Sequence, residues 1–122
     1  MIKVIFSKEG ASISDFEVEQ MAKQVIEQYL KDSEKDIVEV VVNTSSECYM
    51  NAFVLHTMEG LIPEDEIIFF YENTALIFDE WLGLIFPEGF NPFCPFSEIN
   101  KRILDIGYDK MKKFRKMKNA VK

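Results

Sequence analysis

Few side chains in this sequence have chemistry to offer. The carboxylates gather as Glu64-Asp65-Glu66 and Asp79-Glu80, and paired carboxylates can do acid/base or metal work when two converge across a cleft. Neighbours in sequence do not converge, because adjacent strand residues point to opposite faces and turn residues solvate the loop. His56 is the only histidine and follows Cys48 by eight residues, about two helical turns, so both can share one face. With Cys94 they supply three zinc-type donors, but neither a CxxC nor an HxxxH pair gives ligand spacing, and core packing is the expectation for each. A Cys–His nucleophile would need an orienting third group and an oxyanion site, which the sequence does not place. The segment Glu9-Gly10-Ala11-Ser12 comes closest to a phosphate-binding turn, yet it lacks the second glycine and the lysine of a P-loop. The reading is a protein that is not an enzyme and has neither cofactor nor metal.

Residues suited to binding are more plentiful. The chain carries 21 acidic and 14 basic side chains, a net charge of −7, unevenly divided. Residues 101–122 hold nine basic groups against Asp105 and Asp109, and the rest is strongly acidic. Glu64, Asp65, Glu66, Asp79 and Glu80 are the candidate acidic contacts for a basic surface, including one built to hold nucleic acid. Lys110, Lys112, Lys113, Arg115, Lys116 and Lys118 are the alternative, a cationic face suited to phosphate. Between 81 and 96 the run WLGLIFPEGFNPFCPF presents Trp81, Phe86, Phe90, Phe93 and Phe96, aromatic anchors of the kind that dominate interfaces or self-association surfaces.

The elements that must position these residues follow from periodicity. Met1 to Ser7 reads as a strand ended by the glycine-containing segment Glu9 to Ser12. Ser14 and Glu17 make a capping box for a helix whose stripe is Val18, Met21, Ala22, Val25, Ile26 and Tyr29. Ile37 to Val42 is a nearly continuous β-branched run, the signature of a central, parallel strand buried on both faces. Thr44 and Glu47 form a second capping box, opening a helix that Gly60 ends in a left-handed cap. Pro63 and three acids make a turn, Ile67 to Tyr71 a strand, and Glu72-Asn73 a hairpin turn into Ala75 to Phe78. Two glycines and three prolines punctuate residues 81–96 too often for a regular element. Ser97 caps a basic helix over about 97–118, with Ile99, Ile103, Leu104, Tyr108, Met111, Phe114 and Met117 facing inward.

The order β-α-β-α-β-β-α predicts an α/β or α+β domain, residues 1–122, with helices packed on one mixed sheet. At 122 residues and 14.2 kDa, with 48% hydrophobic residues, the chain buries enough surface to fold without metal or disulfide staples. It opens with no secretory leader pattern, has no apolar window long enough to span a bilayer, and has too few cysteines for a disulfide framework. The expectation is a reduced, cytoplasmic protein.

One stretch resembles a known family. Asn43-Thr44-Ser45-Ser46-Glu47 after the strand, then Glu59-Gly60, Pro63-Glu64-Asp65, Ile67 to Tyr71, Asp79-Glu80 and Phe86-Pro87-Glu88-Gly89-Phe90 are similar to the carboxyl-terminal end of SMC/ABC-like ATPases of bacterial defence systems. The resemblance covers about residues 37–90. Ser45 stands at the place of that family's switch histidine and Phe86 at that of its tryptophan, and the chain has no nucleotide-binding motif, so ATP hydrolysis is not implied. What the resemblance implies is a small accessory or phage-type protein.

Together these readings lead to an acidic, non-enzymatic protein that binds another protein, such as a phage or mobile-element inhibitor of a bacterial defence nuclease that mimics nucleic acid in the manner of an anti-CRISPR. The alternatives are a nucleic-acid-binding module using the basic carboxyl-terminal helix, or an accessory module derived from the ATPase family. The expected partner is a protein, including a nucleic-acid-binding effector, with no membrane contact and with self-association open.

Overall fold

The computed structural model describes residues 1–11, 17–79, 83–85 and 98–120. Five strands form one mixed sheet in the order β2-β1-β3-β4-β5. They are β1 (Ile2–Ala11), β2 (Val40–Thr44), β3 (Ile67–Tyr71), β4 (Thr74–Asp79) and β5 (Gly83–Ile85), with helices α1 (Val18–Ser33), α2 (Glu47–Met58) and α3 (Glu98–Ala120). β1 is parallel to both neighbours, with Ile2 beside Val40 on one side and Ile67 on the other. The β3–β4 and β4–β5 pairs are antiparallel. The fold is thus the α+β arrangement expected from the element order.

The hydrophobic core lies between one sheet face and α2. Alternation sends Ile2, Val4, Phe6, Ile67, Phe69 and Leu76 inward, all buried, as the two-residue strand period requires. Cys48 through Met58 are buried without a break, because α2 rests on the sheet and is flanked by α1 and α3. A helix apolar on every side belongs in such a place. The other sheet face carries Ile5, Val41, Ile68, Phe70, Ile77 and Ile85, of which Val41, Ile77 and Ile85 are exposed. Among the described residues no element covers it.

Several local expectations are corrected. The 37–42 run is an edge strand and not a central one: β2 starts at Val40, Ile37 is fully exposed and Val41 is 57% exposed. β-branched shape suits any pleated surface and does not report how many neighbours a strand has. β1 lies inside the sheet between β2 and β3 and runs on to Ala11 through a register shift after Phe6, past the glycine expected to end it. α2 is capped by Ser46, whose hydroxyl accepts from the Tyr49 N–H at 3.1 Å, while Thr44 ends β2 and its hydroxyl accepts from the Ser46 N–H. Glu17 occupies the N-cap of α1 without a side-chain cap bond, so it does not act as the third residue of a capping box; Ser14 and Ser97 lie outside the described residues. β5 is a regular strand inside the stretch read as a loop. On α3, Ile103 is buried as expected, but Leu104, Tyr108 and Phe114 are 69%, 60% and 51% exposed. Cys48 is disulfide-bonded, which corrects the expectation of reduced thiols; whether two cysteines meet depends on Cβ positions that sequence separation does not reveal. The sequence's other cysteine, Cys94, lies outside the described residues. Among the described residues no helix is long and apolar enough to cross a membrane.

Candidate functional site

Register brings the acidic residues named from the sequence to one end of the sheet. Glu64, Asp65 and Glu66 form a single 3-10 turn immediately before β3. Leu76 pairs with Phe69, and the same register carried on sets Asp79 opposite Glu66. β2 is parallel to β3 across β1, so the residues entering β2, including Asp36 and Glu39, lie at this end too. α1 arrives with its last turn, carrying Asp32 and followed by the C-cap Glu34, and is fastened there by the Tyr29 hydroxyl, which donates to Glu66 Oε1 at 3.2 Å. Eight carboxylates thus share the end with Lys3, Lys31, Lys35 and the amino terminus. Glu64 and Asp65 are exposed, whereas Glu66 and Asp79 are half-buried.

Two groups here titrate away from their ordinary values. Burial pushes the Tyr29 phenol up, and the hydrogen bond to the Glu66 carboxylate adds to the shift, with the charges of Glu66 and Asp65 acting the same way. The Glu39 carboxyl is lowered by its contact with Lys3, whose ammonium sits 2.7 Å from Glu39 Oε1.

A groove opens beside this end. It holds about 850 Å³ between α1 and the outer edge of β2, and Val25, Gln28, Tyr29, Asp32 and Val40 line it. Its size falls within the range of ligand-binding clefts. No pattern in the sequence points to it, because α1 and Val40 come together only in the fold.

A second polar cluster ties the three helices together. His56, buried in α2, has both ring nitrogens on oxygens: Nε2 is 2.9 Å from the Glu19 carbonyl of α1, and Nδ1 is 3.2 Å from Glu59 Oε1. Arg102 of α3 donates to the carboxylates of both Glu19 and Glu59. The histidine singled out for its chemistry is therefore held by a helix-joining network. No sequence pattern announces it, because Arg102 stands 83 and 43 residues from its partners. Among the described residues no group of His, Cys, Asp and Glu is arranged as a metal would require.

The basic candidates divide along α3. Lys110 is half-buried, while Lys112, Lys113, Arg115 and Lys116 are exposed, and the Lys112 ammonium sits 4.7 Å from the centre of the Tyr108 ring. Glu80, Trp81, Phe86, Phe90, Phe93, Phe96 and the side chain of Lys118 lie outside the described residues.

Compared with protein-family models, curated proteins and solved structures, the chain matches none of them.

Proposed function

We propose that this protein is a non-catalytic binding module whose acidic end engages a basic surface or segment of another protein. The observation that carries the reading is the convergence of Glu64, Asp65, Glu66 and Asp79 with Asp36 and Glu39 at one end of the sheet. Clustered charge of one sign steers a complementary partner and fixes its register. Proteins that track nucleic-acid backbones carry such basic surfaces, so inhibition of a defence nuclease by occupying its phosphate-binding groove belongs to the same proposal, as does descent from an ATPase accessory region.

The test is binding of a fluorescein-labelled lysine-rich heptapeptide, followed by anisotropy at 50 and 200 mM salt. The wild-type protein is expected to bind and to weaken with salt, because exposed charges are screened over about 8–10 Å at physiological ionic strength. The triple variant Glu64→Lys, Asp65→Lys, Glu66→Lys is expected to lose most of that binding; equal affinity in the two proteins would refute the proposal.

A second reading has its own support, since among the described residues Lys101, Lys112, Lys113, Arg115 and Lys116 of α3 are exposed. In it α3 binds nucleic acid, and affinity for duplex DNA falls with salt in proportion to the phosphates neutralised. Reversing Lys112, Lys113, Arg115 and Lys116 to glutamate separates this reading from the first, since it removes DNA binding and leaves peptide binding in place.

A further inference from the structure

The outer edge of β2 and the groove beside it have the features of a strand-accepting site. The Val40 N–H donates to the Met1 carbonyl at 3.0 Å, so Val40, Val42 and Thr44 turn their backbone groups toward β1. Strand alternation then turns the N–H and C=O groups of Glu39, Val41 and Asn43 outward. Among the described residues no strand pairs with that edge. Natural sheets guard exposed edges with lysine, proline or a bulge, and Val40–Thr44 contains neither lysine nor proline. A chain laid along the edge would have alternate side chains on the helix side, over the groove lined by Val25, Tyr29 and Val40.

The surroundings select the occupant. From Glu27 to Glu39 the chain carries five carboxylates against Lys31 and Lys35, and among the described residues the ion pair given to these carboxylates is that of Glu39 with Lys3. A second copy brought edge to edge would set two such acidic segments together, whereas a lysine- or arginine-bearing segment would meet complementary charge. We propose that β2 accepts an extended basic peptide segment of a partner protein as a sixth strand, with main-chain hydrogen bonds supplying affinity and the α1 groove and acidic rim supplying selectivity. The proposal rests on the reading of the acidic end as a surface for basic partners and adds the backbone mode of capture.

The experiment uses a labelled heptapeptide of alternating lysine and valine, its glutamate–valine counterpart, and two N-methylated forms of the lysine peptide, one methylated at every lysine and the other at every valine. In an added strand only one alternate set of residues points its N–H groups at β2. One methylated form is therefore expected to lose roughly thirtyfold or more in affinity and the other to bind nearly as the parent, since each lost hydrogen bond is worth a factor of about five. The glutamate peptide is expected not to bind. In the protein, Val41→Pro removes one outward donor without touching the β1 ladder and should weaken the parent peptide about fivefold, and amide shifts on binding should concentrate at Glu39, Val41 and Asn43. Equal binding of both methylated forms would overturn strand addition while leaving the electrostatic reading intact. Absence of binding by the lysine peptide itself would overturn both. A dimer of the wild-type protein in sedimentation that Val41→Pro dissolves would also overturn the proposal, by assigning the edge to a second copy.

Discussion

Gly60 and Gly83 offer a controlled comparison, because both have left-handed backbone conformations but only one is enclosed. Gly60 has φ +84° with nothing within 4 Å of the position a Cβ would take, while at Gly83, φ +82°, a Cβ would lie 3.4 Å from Ile103 Cγ2 of α3 and 3.4 Å from Val54 Cγ1 of α2. Alanine at Gly60 meets only the backbone penalty, about 1–2 kcal/mol. Alanine at Gly83 meets the same penalty with a contact at the near limit of ordinary packing, so its cost should again be about 1–2 kcal/mol. Valine separates them. Its methyl groups at Gly83 must enter the space of Ile103 and Val54, adding about 1–3 kcal/mol of overpacking, whereas at Gly60 they meet solvent. With a urea m-value of about 1.5 kcal/mol/M, Gly83→Val should lower the unfolding midpoint by about 0.7–2 M more than Gly60→Val does. The assay is urea unfolding of the oxidised protein, followed by circular dichroism. Equal midpoints for the two valine variants would refute the packing of β5 between α2 and α3, and an unchanged midpoint for Gly60→Ala would refute the left-handed cap after α2.

Further outcomes follow from other contacts. Phe53 is fully buried with its ring centre 5.1 Å from that of Tyr49, so Phe53→Ala should cost about 3–5 kcal/mol, and a change below 1 kcal/mol in the same unfolding assay would contradict the all-round burial of α2. Tyr29 has its phenol pKa raised in the fold; the stability this contributes is present below the unfolded phenol value and is lost as pH rises through the folded one. In an alkaline titration read at the phenolate absorbance, Tyr29→Phe should remove one late-titrating tyrosine, and Glu66→Gln should bring that tyrosine to lower pH. Arg102 bridges two carboxylates from a half-exposed position, so Arg102→Met should cost about 1 kcal/mol in low salt and less at 1 M salt; a loss independent of salt would assign the residue a packing role in place of an electrostatic one.

Much of the fold is legible in the sequence because it depends on short-range periodicity. The stripe from Val18 to Tyr29 builds α1, and the hairpin around Glu72-Asn73 forms as expected, with Glu72 at φ 51°. What fails depends on neighbours distant in sequence. The rank of β2 in the sheet is invisible because an edge valine and a central valine look alike in sequence. Leu104, Tyr108 and Phe114 keep the helical spacing of an inward stripe, but only part of α3 has α2 to lie against. At the candidate site, types were legible and proximity was not. Glu64, Asp65, Glu66 and Asp79 are evident as acids, yet nothing in the sequence states that the β3–β4 register sets the last of them beside the others.

The place of β1 carries a consequence for how the chain comes together during synthesis. β1 is made before both of its neighbours in the sheet, and the same residue, Ile2, pairs with Val40 on one side and Ile67 on the other. The β3–β4 pairing closes over two residues, while each β1 pairing must close a loop of dozens. Such long-range parallel contacts form late and slowly. Until β3 has emerged from the ribosome, Ile2, Val4 and Phe6 have no completed sheet in which to hide, and a nascent chain is most open to aggregation or to chaperone capture in that interval. Substitutions that weaken β3 should therefore lower the yield of folded protein in cells more than they lower its stability once folded.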